Sequence, residues 1–598
     1  MNKVKWVAFY QWTTGLWGEW LTRLDPKGLL RNPIYKEIET AAGRQIRILV
    51  APLGSDLRSR AYGFLLRRSI KRAFGHAAAI VSGSEAFAWS GEGSFDLFAQ
   101  QRAQAQQLLL DSNCDVLIAR QLAPRTMPLL RLVSVDSKKQ MTCLQIDKLE
   151  LPVFFSGRLR HVFTARLFIA AAQALHMGDD LRISILRKLV TRLGPVTTVP
   201  PQVRGSIIAN YAFLYRLLGE AGSSDDLKKA AQTYQDALRE FSRESDPLTW
   251  AGVQDALGGV LRLIGEREQD ASTLQQAVAA FNEALSERTR ERVPMQWATT
   301  QSNLGLVLAS LGAQKQTVRL EEAVNAYQAA LSELTRDRVP LDWARVQHDL
   351  GRALMRLSDQ SKDTGRLEQA IAAFHAALEE RRHERVRTQW AITQQVLGNA
   401  LLRLGERSKG TVELHEAVTA FRAALQERNR HVFPQQWSAI QSNLGSALAA
   451  IGVREADRAY LQQAVAAYRE ILKVRTRKRT PTEWATTQHD LGTTLLRLAE
   501  LENDPVILKQ AVAAFEAALL ERTRERKPLQ WAAAQSNLGA ALLRLSESEA
   551  GSSCLEGAVS AYRAALEAYE QASVPHAAGT ARVNLTAAET RLKSMVEG

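Results

Sequence analysis

The chain has 598 residues, 46% of them apolar, so it folds but is too long for a single hydrophobic core. Its net charge of +14 is uneven: residues 1–200 hold 28 Lys+Arg against 15 Asp+Glu, and the remainder holds 49 against 48. Three cysteines, Cys114, Cys143 and Cys554, show no Cys-x-x-Cys pairing, which argues against a disulfide framework or a zinc site and for a reducing, cytoplasmic setting.

Residues 1–40 crowd Trp6, Phe9, Tyr10, Trp12, Trp17 and Trp20 between Lys3, Lys5, Arg23, Lys27 and Arg31, the composition of an aromatic, basic helix. Lys5, Gln11 and Glu19 interrupt its apolar run, so neither a secretory signal nor a spanning helix is expected. Two uses stay open for Trp6, Trp12, Trp17 and Trp20. Indole rings with basic flanks suit an anionic membrane surface, which would make the chain peripheral at the inner membrane. The same residues suit a helix docked on the rest of the chain. Nucleic acid ranks behind both, because no aromatic-basic strand motif accompanies the charge.

Residues 41–155 change to alternating strands and helices. Strands are expected at Ile46–Pro52, Ala78–Ser82, Val116–Arg120, Leu130–Val135 and Met141–Leu149, with helices near Leu57–Phe74 and Phe95–Asp111. The runs beginning at Ile48 and Asn113 resemble the N-terminal domain of TolB-like proteins. Gly54, Gly83, Gly91 and Gly93 form no phosphate loop, and His76, His161 and His176 lack ligand spacing, so no catalytic residue, metal or cofactor is expected. Residues 156–200 are expected to be a helical connector.

From residue 201 to 590 the sequence repeats. Trp250, Trp297, Trp343, Trp390, Trp437, Trp484 and Trp531 recur at intervals of 46 or 47 residues. Each has a Pro three positions earlier, except that Arg387 stands before Trp390, and each is followed by Gln, Leu and Gly at the fourth, seventh and eighth positions. Trp297, Gln301, Leu304, Leu308 and Leu311 fall on one face of a helix opened by Pro294. Leu320, Val324, Tyr327 and Leu331 give a second helix, with Ala323 and Ala330 allowing close approach. Asp504 before Pro505 is an N-cap signal. The repeated glutamines from Gln254 to Gln535 are expected to bond inter-helix backbone. Eight helical hairpins are expected, the seven Trps being structural anchors, and they must stack to bury their apolar faces.

Trp, Leu and Gly on a first helix, then Ala, Tyr or Phe, and Ala on a second, resemble the tetratricopeptide repeat, lengthened from its 34-residue form. The resemblance is to the Trp-anchored arrays of bacterial signalling and self/non-self response proteins. It implies a mostly α chain, a tetratricopeptide-like α-solenoid behind a small α/β domain, working as a non-enzymatic protein-interaction scaffold. It also implies a concave groove lined by the first helices, with a protein or peptide partner held there. The positions that match its groove residues are Asn303, Asp349, Asn443, Asp490 and Asn537, preceded by His348 and His489, with Arg356, Arg403, Arg497 and Arg544 a turn later. Amides can pair with an extended peptide backbone and arginines can take carboxylates. The same Asn/Asp positions could instead bond a neighbouring helix. The runs Glu287–Arg292, Arg475–Arg479 and Glu521–Arg526 read as solvated, internally paired helix ends, since the array is nearly neutral.

Overall fold

The computed structural model describes six strands between residues 46 and 150, residues 179–191, and residues 201–597 apart from 314–315, 362 and 549–551. The aromatic segment with Trp6, Trp12, Trp17 and Trp20, the helices expected near Leu57–Phe74 and Phe95–Asp111, and most of the connector lie outside the described residues. The chain divides into two compact units, Met1–Trp343 and Ala344–Gly598.

In the first unit, strands β1 (Ile46–Val50), β2 (Ala78–Ser82), β3 (Ala88–Ser90), β4 (Val116–Leu122), β5 (Leu129–Ser134) and β6 (Gln145–Glu150) form one mixed sheet of order β2-β1-β4-β5-β6, with β3 also on β4. β1 runs parallel to β2 and β4, whereas β4, β5 and β6 form an antiparallel meander. The three-residue β3 was not foreseen, because a segment that short carries no alternation to detect.

Helices follow: α1 (Asp179–Val190), α2 (Pro201–Glu220), α3 (Ser224–Glu240), α4 (Pro247–Glu268), α5 (Ala271–Glu287), α6 (Pro294–Gly312) and α7 (Thr317–Leu331). α8 (Pro340–Ser361) leads into the second unit, which continues with α9 (Thr364–Glu380), α10 (His383–Arg407), α11 (Val412–Glu427) and α12 (Pro434–Arg454). The last helices are α13 (Arg458–Leu472), α14 (Pro481–Glu502), α15 (Pro505–Leu519), α16 (Pro528–Leu545), α17 (Ser552–Gln571) and α18 (Pro575–Glu597). From α2 to α17 they form consecutive hairpins, each first helix carrying the Trp from α4 onward, and α18 is a single closing helix.

Local chemistry sets these boundaries. First helices open on Pro after a residue with similar dihedrals: Val293 at φ −145°, ψ 69°, Thr480 at −141°, 68°, and Lys527 at −146°, 65°. Where Arg387 replaces Pro, helical structure extends back to His383, yet Val386 keeps φ −141° and ψ 64°. The hairpin packing imposes this bend, and proline only favours it. Among the described residues, four second helices are capped by aspartates, Asp270, Asp363, Asp457 and Asp504: Asp270 accepts from the Ser272 and Thr273 amides, and Asp504 accepts from Val506 N at 2.8 Å.

The centre of each hairpin from α4 onward is a glycine against an aromatic ring; the first hairpin has Ala212 in the glycine position. A Cβ at Gly258 or Gly305 would stand 3.0 or 2.8 Å from Phe281 or Tyr327. In the second unit a Cβ at Gly351, Gly398, Gly445, Gly492 or Gly539 would lie 2.7–3.1 Å from Phe374, Phe421, Tyr468, Phe515 or Tyr562. These seven rings are among the largest fully buried side chains of the described residues. Burial of each stabilises the hairpin by about 1.5–3 kcal/mol.

The first-helix face as candidate binding surface

The tryptophans are half-buried and lie under cations rather than in the core. In the first unit Arg243 stands 4.8 Å over Trp250 and pairs with Glu287 of the following hairpin at 2.7 Å. Arg290 repeats this over Trp297 with Glu333 at 2.8 Å. In the second unit Arg477 lies over Trp484 and pairs with Glu521 at 2.6 Å, Arg524 lies over Trp531 and pairs with Glu567, and His383 packs edge-on against Trp390 while meeting Glu427 at 2.6 Å. These five tryptophans are each one part of a clamp that ties a hairpin to the next.

The Glu287–Arg292 and Glu521–Arg526 runs therefore differ from expectation. Their first arginine turns inward: half-buried Arg288 donates to Thr300 Oγ1 at 2.9 Å and lies 3.6 Å from Asp255, and Arg522 is buried at 7% exposure. Only the later residues of the run are at the surface. Two residues of separation place successive arginines on opposite sides of the turn, one inward and one over the Trp.

On the first helices, the expected Asn/Asp positions point along the array. Asn303 Nδ2 donates to Asp255 Oδ1 at 3.2 Å in the first unit. In the second unit Asn443 Nδ2 donates to Asn399 Oδ1 at 2.7 Å and Asn537 Nδ2 to Thr493 Oγ1 at 3.4 Å. Each bond joins one first helix to the preceding one, and all five residues involved in these Asn contacts within helices α10 to α16 and α6 are half-buried. Asp349 is within 3.7 Å of Arg345. Asp490 carries a carboxyl pushed up to about 6 by burial, with Arg522 and Arg475 pulling it back down.

His348 is a correction to the expected groove set. It is 5% exposed, bonded to Thr393 Oγ1 at 3.1 Å and edge-on to Phe374, and burial pushes its imidazole down to about 3. It belongs to the hairpin interior because the position after the repeated Gln faces the second helix. His489 sits equivalently, edge-on to Phe515, its pKa lowered to about 4 by burial and by Arg522. Its Nδ1 is buried without a partner, since Ala534 stands where Thr393 bonds His348.

The arginines a turn later are accompanied. Arg403 pairs with Asp359, Arg497 with Glu500 at 2.8 Å, and Arg544 with Glu547 at 3.5 Å, the last also bound by Arg591 at 2.8 Å. Arg356 is half-buried and engaged as well. A ligand carboxylate at these positions must displace one already present. The repeated glutamines, by contrast, make none of the expected backbone bonds, and Gln441 Oε1 is buried without a partner. Their row packs between helices, where backbone groups already satisfy each other within the helix.

Between these polar positions the second unit's face is lined by small side chains, Ala439, Ser446 and Ala450 on α12 and Ala533 and Ala540 on α16, all half-buried. α10 breaks the ladder: Val396 takes the Asn/Asp position, and Ile392, one turn earlier, is 37% exposed. The helix positions of Ile392, Val396, Asn399 and Arg403 share one face.

No protein-family model and no curated protein matches the sequence. Among solved structures, the C-terminal part of a TPR repeat-containing protein from Cytophaga hutchinsonii aligns at 14% identity and TM-score 0.34, over 52% of this chain and 95% of that one. A Rap protein complexed with competence and sporulation factor aligns at 11% identity and TM-score 0.31, over 65% and 99%. A STAND protein with a tetratricopeptide repeat sensor from Pyrococcus horikoshii aligns at 9% identity and TM-score 0.30, over 96% and 98%. The fold class is a tetratricopeptide-like array of helical hairpins, and it rests on their consecutive packing and on the glycine–aromatic contact repeated from the second hairpin onward.

Among the described residues no three His, Cys, Asp or Glu side chains come together as a metal site, and no helix is long and apolar enough to cross a membrane.

Proposed function

We propose that the array is a non-enzymatic scaffold that holds an extended peptide of a partner protein on its first-helix face. The observation that carries this is the amide row of the second unit. After Asn443 Nδ2 has bonded Asn399 Oδ1, Asn443 Oδ1 and Asn399 Nδ2 remain as acceptor and donor on a half-buried face floored by small side chains. An extended backbone offers the complementary pair at each residue. Cations on this face are self-neutralised by Asp359, Glu500 and Glu547, which favours a ligand of mixed charge over a uniformly acidic one. The setting that the sequence resemblance implies, a bacterial signalling or defence assembly, belongs to the same proposal.

Selection of peptides from a displayed library on the full chain tests it. Selected peptides should lose binding to the Asn399→Ala, Asn443→Ala, Asn537→Ala triple variant while its thermal unfolding stays within a few degrees of the parent. Equal binding to parent and variant excludes this face. A role of the basic first third as an anionic-surface anchor is a separate proposal, supported by its charge alone, and co-sedimentation of the full chain with phosphatidylglycerol vesicles at low and high salt tests it.

A further inference from the structure

Five second-helix ends carry an inward arginine nine positions before the next Trp position: Arg288, Arg381, Arg428, Arg475 and Arg522. Four have polar company. Arg288 has Thr300 and Asp255. Arg381 donates to Thr393 Oγ1 at 2.8 Å with Asp349 close enough to act on it. Arg475 reaches Thr487 at 3.3 Å with Glu483 and Asp490 near enough to act on it, and Arg522, whose side chain makes no hydrogen bond or ion pair among the described residues, still feels the Asp490 carboxylate.

Arg428 has none of this. It is 7% exposed, its guanidinium lies 4.7 Å from the centre of the Phe433 ring, and among the described residues no side chain makes a hydrogen bond or ion pair with it. Its Nε is sealed without a partner, as are those of Arg288 and Arg522, whereas its two terminal nitrogens are not among the sealed atoms and keep contact with the outside. The register explains the loss. The positions that hold Asp349 and Thr393 around Arg381 hold Val396 and Ile440 one repeat later, so both polar partners are replaced by aliphatics at once. Nothing in the hairpin requires a cation here, because Leu334 fills the same repeat position two repeats earlier and is 2% exposed. A buried guanidinium without a counter-charge opposes folding, and a phenyl ring offsets only part of that.

We infer that Arg428 is the point at which the array reads a single carboxylate of its bound peptide, with exposed Ile392 and half-buried Val396 receiving a neighbouring aliphatic side chain. This rests on the peptide-binding role proposed above. One unbalanced guanidinium matches one carboxylate; a phosphate would need a second cation beside it. The carboxylate comes from an acidic side chain or from a peptide C-terminus.

The test takes the peptides recovered by display on the full chain and measures fluorescence anisotropy for each in three forms: as selected, with its acidic side chains changed to amides, and with its C-terminus amidated. One of the two modified forms should bind about 10-fold or more weakly. Arg428→Met should weaken the unmodified peptide to the same level and leave the weaker form unaffected. Thermal unfolding adds a ligand-free readout: Arg428→Met should melt at or above the parent temperature, whereas Arg381→Met, which takes a buried donor from Thr393 and a cation from beside Asp349, should melt below it. Peptides that bind but are indifferent to both modifications, or to Arg428→Met, overturn the assignment and leave the binding face standing. An Arg428→Met loss of melting temperature as large as that of Arg381→Met also overturns it. Failure to recover any peptide removes the binding face itself.

Discussion

Gly258 and Gly259 are adjacent in α4, and they separate the packing of a hairpin from the intrinsic preference of its helix. A Cβ at Gly258 would meet three atoms of the Phe281 ring at 3.0 Å, while a Cβ at Gly259 would meet nothing within 4 Å. Carbon atoms in contact prefer about 3.5–4.0 Å, so alanine at position 258 forces the ring back by about half an ångström or more. Phe281 is fully buried and has nowhere to go. Overpacking of this kind costs about 1–3 kcal/mol, against a gain of about 0.5–1 kcal/mol for alanine over glycine in a helix. Gly259→Ala should therefore stabilise by about 0.5–1 kcal/mol and Gly258→Ala should destabilise by about 1 kcal/mol. Hydrogen exchange of the α4 and α5 peptides reads this locally, without assuming that the array unfolds in one step. Equal stabilisation by the two alanines would show that α4 and α5 do not approach as described.

Three further outcomes follow from particular contacts. Arg288→Met should cost about 1–2 kcal/mol, because Thr300 loses its donor and half-buried Asp255 keeps only Asn303, whereas Arg290→Ala, which breaks the half-exposed pair with Glu333, should cost about 0.2–1 kcal/mol and less in high salt; denaturation at two salt concentrations checks both. Arg387→Pro should stabilise by about 0.4–1 kcal/mol, because Val386 already holds the dihedrals that precede proline elsewhere, and a fall in melting temperature would mean that the turn at His383 depends on the missing amide. Asp490 has a folded pKa near 6, above its unfolded value, so its contribution is fully present below about pH 4 and is lost as pH rises through 6. His489 is lowered to about 4, so its contribution is present above about pH 6.5 and is lost as pH falls through 4. The two oppose each other between pH 4 and 6.5. Asp490→Asn should steepen acid destabilisation in that window and His489→Ser should flatten it, as urea midpoints across the window would show.

Much of this architecture is legible in the sequence, for a physical reason. A half-buried Trp tied to a neighbouring hairpin must recur at the repeat length, and a glycine facing an aromatic ring must recur with it, so period and hairpin follow directly from spacing. The surface chemistry is less legible. Arg288 and Arg290 are the same residue type in the same charged run, and only the direction of the turn decides that one turns in beside Asp255 and the other covers Trp297. His348 reads as a groove residue until its contact with Phe374 places it inside. Arg428 illustrates the limit most clearly. Its isolation depends on Val396 and Ile440, 32 positions before it and 12 after it in sequence, and becomes visible only when the repeats are superposed as packed helices.

The most direct test of the central claim, that the first helices form the binding face, is hydrogen exchange of the full chain with and without a selected peptide. Added protection is expected in α10, α12, α14 and α16, with little change in α11, α13, α15 and α17. Protection confined to the second helices, or to residues 46–150, would contradict that claim.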